Sequence, residues 1–225
     1  MTALQAILMT VFCGLVLTPR AYPDPTDPTV ETPKPGEVLI THDVREVSLQ
    51  LQGQSWLIQR NQDPNVTLTP LFTNTTVGFL QPIQLAPSVE TLGELEVLAW
   101  MRKMQTDDSI VLVDTRPFLP YERLHIPGAI NIPPRLFKNE FAAIEVLERK
   151  LNVTTTDSGE LNFNDAKTVI AYSNGHFCAM TPYAVKYAPY SLLKLGYPPE
   201  KIKYYRGGMQ DWTSVGLTVA GADAF

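Results

Sequence analysis

Short apolar segments alternate with helical patterns through the C-terminal part of the chain. The segment at 109–114 (SIVLVD) is almost wholly apolar, and similar strand patterns occur at 168–172 and 202–205. Apolar residues recur at helical spacing before and after the first segment, at Leu92, Leu95, Leu98, Met101, Phe141, Ile144 and Leu147. Strands that are apolar on both faces and are joined through helices form parallel sheets with right-handed crossovers. We therefore predict an α/β domain at 85–225, in which helices flank a parallel sheet.

The region before this domain carries different signals. At 36–84 apolar residues alternate with polar ones, as in Val47, Leu49 and Leu51, and a turn-like Gln-Gly-Gln sequence follows. This pattern predicts a small β-rich N-terminal region. Between Pro19 and Pro35 six prolines alternate with polar residues, a composition that favours extended backbone and cannot form a core. Residues 22–35 are thus predicted to be a proline-rich tether.

The first 18 residues contain no charged side chain. Their apolar run at 6–17 is shorter than the roughly 20 residues that span a bilayer, and its length is typical of the apolar region of a signal peptide. No Lys or Arg precedes the run, so an uncleaved membrane anchor is the alternative. We predict a signal peptide at 1–21, a periplasmic or secreted location, and no stable membrane insertion after processing.

The net charge of the chain and its few Cys and His residues limit what it is expected to bind. The net charge of -5 argues against nucleic acid, because binding to a phosphate backbone needs clustered Lys and Arg. Once residues 1–21 are lost, Cys178 is the remaining cysteine, and with three scattered histidines it forms no pattern of metal ligands. Neither a metal nor another cofactor is expected.

The loop after the strand at 168–172 is the expected ligand site, because parallel α/β sheets bind ligands beyond the carboxyl ends of their strands. Thr181 and Pro182 are typical of a helix N-cap and first helical residue, so 173–180 is predicted to be a loop. Free backbone N–H groups and the positive end of the helix dipole then face the loop. Such a site stabilises a thiolate and attracts an anion.

Two stretches of the chain resemble the signatures of the rhodanese family. Asp114-Thr115-Arg116 with HIPGAINIP at 125–133 resembles the first signature, and YRGGM at 205–209 with Trp212 resembles the C-terminal one. The resemblance covers about residues 88–219 and implies a rhodanese-like parallel sheet flanked by helices. It also implies sulfur transfer. In this family a loop cysteine takes a sulfane sulfur from a small anionic donor such as thiosulfate, holds it as a persulfide, and passes it to a thiol or cyanide-like acceptor.

The loop itself departs from the family pattern. Members with Cys-Asn-Gly-x-x-Cys align with the sequence SNGHFC at 173–178, so Ser173 stands where the nucleophile is usual, and a hydroxyl cannot carry a transferable sulfur. Cys178, however, precedes Gly196 by 18 residues, which is nearer the usual spacing than the 23 residues from Ser173. Either Cys178 opens the functional loop, or about one helical turn is inserted around 187–190, where Pro189 would break a helix interior.

These observations select the candidate site. Cys178 is the predicted catalytic residue. The predicted substrate-binding residues are those of the loop and of the strand-end motif: Ser173, Asn174, Gly175, His176, Phe177, Arg116 and Asp114. Asp114 and Arg116 are also expected to brace the strand end through ionic hydrogen bonds, and His125 is expected to be structural.

The predicted function is that of a thiosulfate sulfurtransferase acting through a persulfide on Cys178. The alternative is a catalytically silent rhodanese module that binds a protein partner or an anion through the loop. A phosphatase of the same fold needs an Arg that closes the loop and grips an oxyanion, and no Arg occurs at 173–185.

Overall fold

The computed structural model describes residues 36–63, 65, 72 and 79–224 of the chain. The predicted signal peptide at 1–21 and the predicted tether at 22–35 lie outside the described residues. The described residues belong to one compact unit.

Nine strands and five helices are found in the described part of the chain. The strands are β1 (Glu46–Leu51), β2 (Gln54–Gln59), β3 (Glu90–Leu92), β4 (Ile110–Asp114), β5 (Ile130–Asn131), β6 (Thr154–Thr155), β7 (Leu161–Asn162), β8 (Thr168–Tyr172) and β9 (Ile202–Tyr205). The helices are α1 (Glu94–Met104), α2 (Phe118–Arg123), α3 (Glu140–Leu151), α4 (Met180–Pro182) and α5 (Gly208–Ser214). The short α4 continues into a π-helical segment at Tyr183–Tyr187, and 3-10 turns lie at Pro134–Lys138 and Pro199–Lys201.

The central sheet has five parallel strands in the order β3-β9-β8-β4-β5. All five residues of β4 are buried, as are the last four of β8, because helices cover both faces. The predicted fold class is therefore confirmed. The order places β8 in the middle of the sheet. The loop that follows β8 therefore begins at the centre of the edge where the parallel strands end.

Side chains of the sheet alternate between two apolar clusters. Val111, Val169 and Tyr204 pack on one face, with residues of α3 and of the segment that follows α4. Leu112 and Tyr205 pack on the other face, with residues of α1 and α5. This alternation arises because successive side chains of a strand point to opposite faces of the sheet. Tyr204 and Tyr205 therefore pack in different clusters.

The N-terminal hairpin is part of the second cluster. Strands β1 and β2 are antiparallel, and Gln52 and Gly53, both with positive φ, form the turn between them. This sheet confirms the predicted β-rich region. Its apolar face is buried against the domain, so closely that a Cβ on Gly128 would lie 2.6 Å from Leu51 Cδ1. Independent folding of residues 85–225 stays a prediction.

Two helix faces differ from the sequence prediction. Leu95 and Phe141 are 42% and 78% exposed, although the spacing predicted both to face the core. Leu92 belongs to β3 rather than to α1, so the buried stripe of α1 starts at Val97. Helix α3 starts after Asn139, whose side chain accepts from the N–H of Ala142 at 3.0 Å, and this start turns Phe141 outward.

No helix in the described ranges is long and apolar enough to cross a membrane.

Candidate functional site at the end of the central strand

The candidate loop begins directly at the carboxyl end of β8. Ser173 is the first residue after the strand and is 3% exposed, and α4 begins at Met180. The prediction of Thr181 as N-cap and Pro182 as first helical residue is therefore two residues late, since the N-cap is Ala179. Thr181 is buried, and its hydroxyl lies 2.8 Å from that of Thr115, so it ties the start of α4 to the end of β4 instead of capping a helix.

The first turn of α5 holds one side of the loop. The N–H groups of Met209 and Gln210 donate to the carbonyl oxygens of Ser173 and Asn174, at 3.0 and 2.8 Å. Gly208 has a φ of +56°, and a Cβ there would collide with the Ser173 carbonyl and lie 2.9 Å from the Gly175 nitrogen. Glycine is thus required where α5 meets the loop.

Gln81 also holds the loop, through hydrogen bonds to the carbonyls of His176 and Phe177. Its N–H donates to the carbonyl of His176 at 2.8 Å, and its side-chain nitrogen lies 3.5 Å from the carbonyl of Phe177. Arg206 Nε in turn donates to the Gln81 carbonyl at 2.9 Å. Sequence reasoning missed Gln81 as a loop contact and Arg206 as the partner of Gln81. No local pattern marks a contact between residues so far apart in the chain.

These contacts orient the amide groups of the loop. In a trans peptide the C=O and the following N–H point in opposite directions. Since the carbonyls of Ser173, Asn174 and His176 face α5 or Gln81, the N–H groups that follow them face away from those partners. Among the described residues no acceptor is found for the N–H groups of five loop residues: Asn174, Gly175, His176, Phe177 and Ala179. N–H groups without an acceptor in the described part of the chain are suited to binding an anion.

Cys178 lies at the far end of the loop. It is 5% exposed and unpaired, and its N–H donates to the Gly175 carbonyl at 2.9 Å.

Asp114 and Arg116 form a buried ion pair at the end of β4. Arg116 Nη2 lies 2.6 Å from Asp114 Oδ2 and Nε lies 3.0 Å from Oδ1, and Nη2 also donates to the Leu124 carbonyl. Burial opposes the charge on Arg116, but the hydrogen bonds and charge of Asp114 outweigh it and raise the pKa of the guanidinium. The pair braces the strand end, and direct substrate contact stays a prediction.

His176 faces α5. Its Nε2 lies 2.7 Å from Asp211 Oδ2, and both side chains are about one-third exposed. Burial raises the pKa of Asp211, while the proximity of His176 opposes that change. The His176–Asp211 contact thus adds a third link between the loop and α5.

The structure bears on the two explanations of the spacing. Ser173, not Cys178, follows β8 directly. Between this loop and Gly196 lies the π-helical segment, where the Ala188 N–H donates to the Tyr183 carbonyl at 2.8 Å and Pro189 follows. If about one helical turn is inserted, this segment is where the insertion is expected. Which of the two side chains carries out chemistry stays a prediction.

Asp, Glu, His and Cys side chains do not gather in groups of three or more that could hold a metal ion within the described ranges.

The sequence model of the rhodanese-like domain family matches residues 97–215. The match covers more than half of the chain, and the chain belongs to this family. The hairpin β1–β2 and Gln81 lie outside the matched region.

Two relatives share part of this sequence. An HTH-type transcriptional regulator of Mycobacterium tuberculosis is 33% identical over 110 residues, which is 49% of this chain and 37% of that protein. A Bacillus subtilis protein named as a sulfur carrier is 28% identical over 126 residues, which is 56% of this chain and 54% of that protein. The chain thus spans 37% of the length of the first relative and 54% of the length of the second. A rhodanese-like domain of Anabaena superposes with a TM-score of 0.40 at 16% identity, over 61% of this chain and 82% of that one.

Proposed function

We propose that this protein is a rhodanese-type sulfurtransferase in which Cys178 carries the sulfur. The observation that carries the proposal is the position of Cys178 in a loop with a row of N–H groups that have no acceptor in the described part of the chain. Sulfur-donor anions and persulfides are negatively charged, and fixed N–H donors stabilise such charge without reorganisation. The name of the Bacillus subtilis relative, a sulfur carrier, agrees with this function.

The chemistry consists of two displacements. The Cys178 thiolate attacks the outer sulfur of thiosulfate, a new S–S bond forms as the S–S bond of the donor breaks, and sulfite leaves. A thiolate or cyanide acceptor then attacks the outer sulfur of the persulfide, and the Cys178 thiolate leaves with the electron pair. Neither step consumes an oxidant or a reductant.

Mass spectrometry of the Cys178 peptide tests the proposal. After incubation with thiosulfate this peptide should gain the mass of one sulfur and lose it again when cyanide is added. Cys178→Ala should abolish turnover of thiosulfate and cyanide while leaving the thermal unfolding midpoint close to that of the unmodified sequence. A wild-type peptide that never gains sulfur would contradict the proposal.

The position of Ser173 favours a second candidate, a silent module that binds an anion or a partner. In that case thiosulfate should bind without turnover, and Ser173→Cys should create activity by placing a thiol at the end of β8. If Cys178 is the carrier, Ser173→Cys should change turnover little. Ser173→Ala serves as the control for the loss of the hydroxyl alone.

We further propose that the protein acts outside the cytoplasm, on the basis of its uncharged apolar N-terminus. Protein recovered from its native cells should lack about the first 21 residues. Recovery of the full-length N-terminus in a cytosolic fraction would contradict this location.

A further inference from the structure

A cavity between the N-terminal hairpin and the rest of the domain lies outside the sulfur-transfer scheme. Its volume is about 380 Å³, and it is lined by residues of the β1–β2 hairpin, of the segment 121–129 and of the backbone at 220–221. None of the described residues that line it belongs to the candidate loop at 173–179. A cavity of this size is large enough for one small organic molecule.

Tyr121 and His125 form an aromatic wall of this cavity. Their rings stack with centroids 4.2 Å apart and with planes inclined by 24°. The Tyr121 hydroxyl donates to the Ala129 carbonyl at 2.9 Å, and the backbone N–H of His125 donates to the Ala220 carbonyl at 2.8 Å. Trp56 of β2 adds a third ring to the lining. These bonds fix the wall in advance, so a flat apolar ligand can pack on it at little cost in ordering.

His125 contributes a hydrogen-bond acceptor to the cavity. Its Nδ1 lies 2.8 Å from the Tyr121 carbonyl, which can only accept, so the proton of the neutral ring is on Nδ1 and Nε2 carries a lone pair. Nε2 has no hydrogen-bond partner in the described part of the chain, and it keeps some accessible surface. Burial lowers the pKa of His125, which keeps the ring neutral at neutral pH.

The lining also limits the charge of a ligand. No charged side chain is found among the described residues that surround the cavity. A charged ligand would therefore lose hydration without gaining a counter-charge. The neutral Nε2 of His125 accepts and does not donate, so a ligand that bonds to it needs an N–H or O–H group.

We propose that this cavity binds an uncharged planar aromatic molecule that carries an N–H or O–H group, packs on the aromatic wall and donates a hydrogen bond to His125 Nε2. The inference depends neither on Cys178 nor on sulfur transfer. It assigns His125 a ligand-binding role in addition to its structural hydrogen bonds.

Three related probes test the three requirements. Indole is uncharged, planar and carries an N–H group, 1-methylindole lacks the N–H group, and indole-2-carboxylate is negatively charged. Each probe is titrated, up to its solubility limit, into full-length protein that contains nitrogen-15-labelled histidine, and NMR follows the ring nitrogens of His125. We expect indole to bind and to shift the Nε2 signal, because this atom becomes a hydrogen-bond acceptor. The affinity of 1-methylindole should be roughly three- to tenfold lower, the effect of one neutral hydrogen bond, and indole-2-carboxylate should not bind.

His125→Asn tests the acceptor in the protein. The amide N–H of asparagine can still donate to the Tyr121 carbonyl, but Nε2 and the aromatic ring are lost, so the affinity for indole should fall at least about tenfold. His42→Asn is the matched control, because His42 is exposed and does not line the cavity. It should bind indole as the wild-type protein does.

The outcomes decide for or against the cavity. Failure of indole to bind the wild-type protein would overturn the proposal. Equal affinities for indole and 1-methylindole would also overturn it, because the hydrogen bond would then contribute nothing. Binding of indole that leaves the His125 signals unchanged would place the probe at another site, with the same consequence. These titrations of the wild-type protein decide even if His125→Asn fails to fold, and none of them bears on sulfur loading of Cys178.

Discussion

The N–H of Met209 donates to the carbonyl of Ser173 at 3.0 Å, and this bond joins the start of α5 to the first residue of the candidate loop. The two backbones can approach this closely because Gly208 lies between them without a side chain.

Gly208→Ala should therefore destabilise the protein and disturb the loop. The methyl group would meet the Ser173 carbonyl, and the residue would keep a left-handed φ, so we expect a loss of at least about 2 kcal/mol in the free energy of unfolding. Gly159→Ala is the control, since Gly159 also has a positive φ but has no atom within 4 Å of an added Cβ. Urea denaturation measures both, and equal losses would show that steric contact with the loop is unimportant.

Asp114→Asn should be strongly destabilising. It leaves the buried Arg116 guanidinium without its counter-charge, and breaking such a pair costs about 3–5 kcal/mol. The exposed pair Arg123–Asp223 has a similar separation of 2.6 Å, so Asp223→Asn is a matched control that should cost less than about 1 kcal/mol. Denaturant titrations of the two variants compare the cost of breaking a buried ion pair with the cost of breaking an exposed pair of the same N···O distance. Similar costs for both would contradict the structural role assigned to the Asp114–Arg116 pair.

The stability of the protein should depend on His125 at mildly acidic pH. Burial lowers the pKa of His125 below its ordinary 6.5, and the hydrogen bond to the Tyr121 carbonyl opposes this only in part. The unfolded chain therefore binds more protons than the folded chain as the pH falls through about 6.5, and the free energy of unfolding decreases toward the lower pKa of the folded state. His125→Gln should make the decrease between about pH 7 and pH 5 shallower. An unchanged slope in denaturation measured across this range would refute the assignment.

Leu49→Ala should show that the N-terminal hairpin shares the core of the domain. Leu49 is 1% exposed and packs in the cluster that contains Trp212, so the cavity should cost about 2–5 kcal/mol. Leu57 lies on the same hairpin but is 41% exposed, and Leu57→Ala should cost well under about 1 kcal/mol. A single thermal transition that shifts as a whole for Leu49→Ala would indicate one cooperative unit. A hairpin that melts separately would instead favour independent folding of residues 85–225.

Local sequence patterns predicted the sheet well. The strands expected at 168–172 and 202–205 have these bounds in the structure, because short segments rich in apolar and aromatic residues favour strands. The helix faces were predicted less well. Leu95 and Phe141 fit a helical period but lie on its solvent side, since the phase of a helix depends on where it begins. Gly93 and Asn139 set those starting points.

The sequence by itself determined the parallel α/β class, the family signatures and the presence of a loop directly after the strand at 168–172, because each depends on residues that are close in the chain. The tertiary structure decided what surrounds the loop. Gln81 meets His176 and Met209 meets Ser173 only after the strands have taken their order in the sheet. These are contacts between distant segments, and their distances depend on how the whole core packs, which no local spacing encodes.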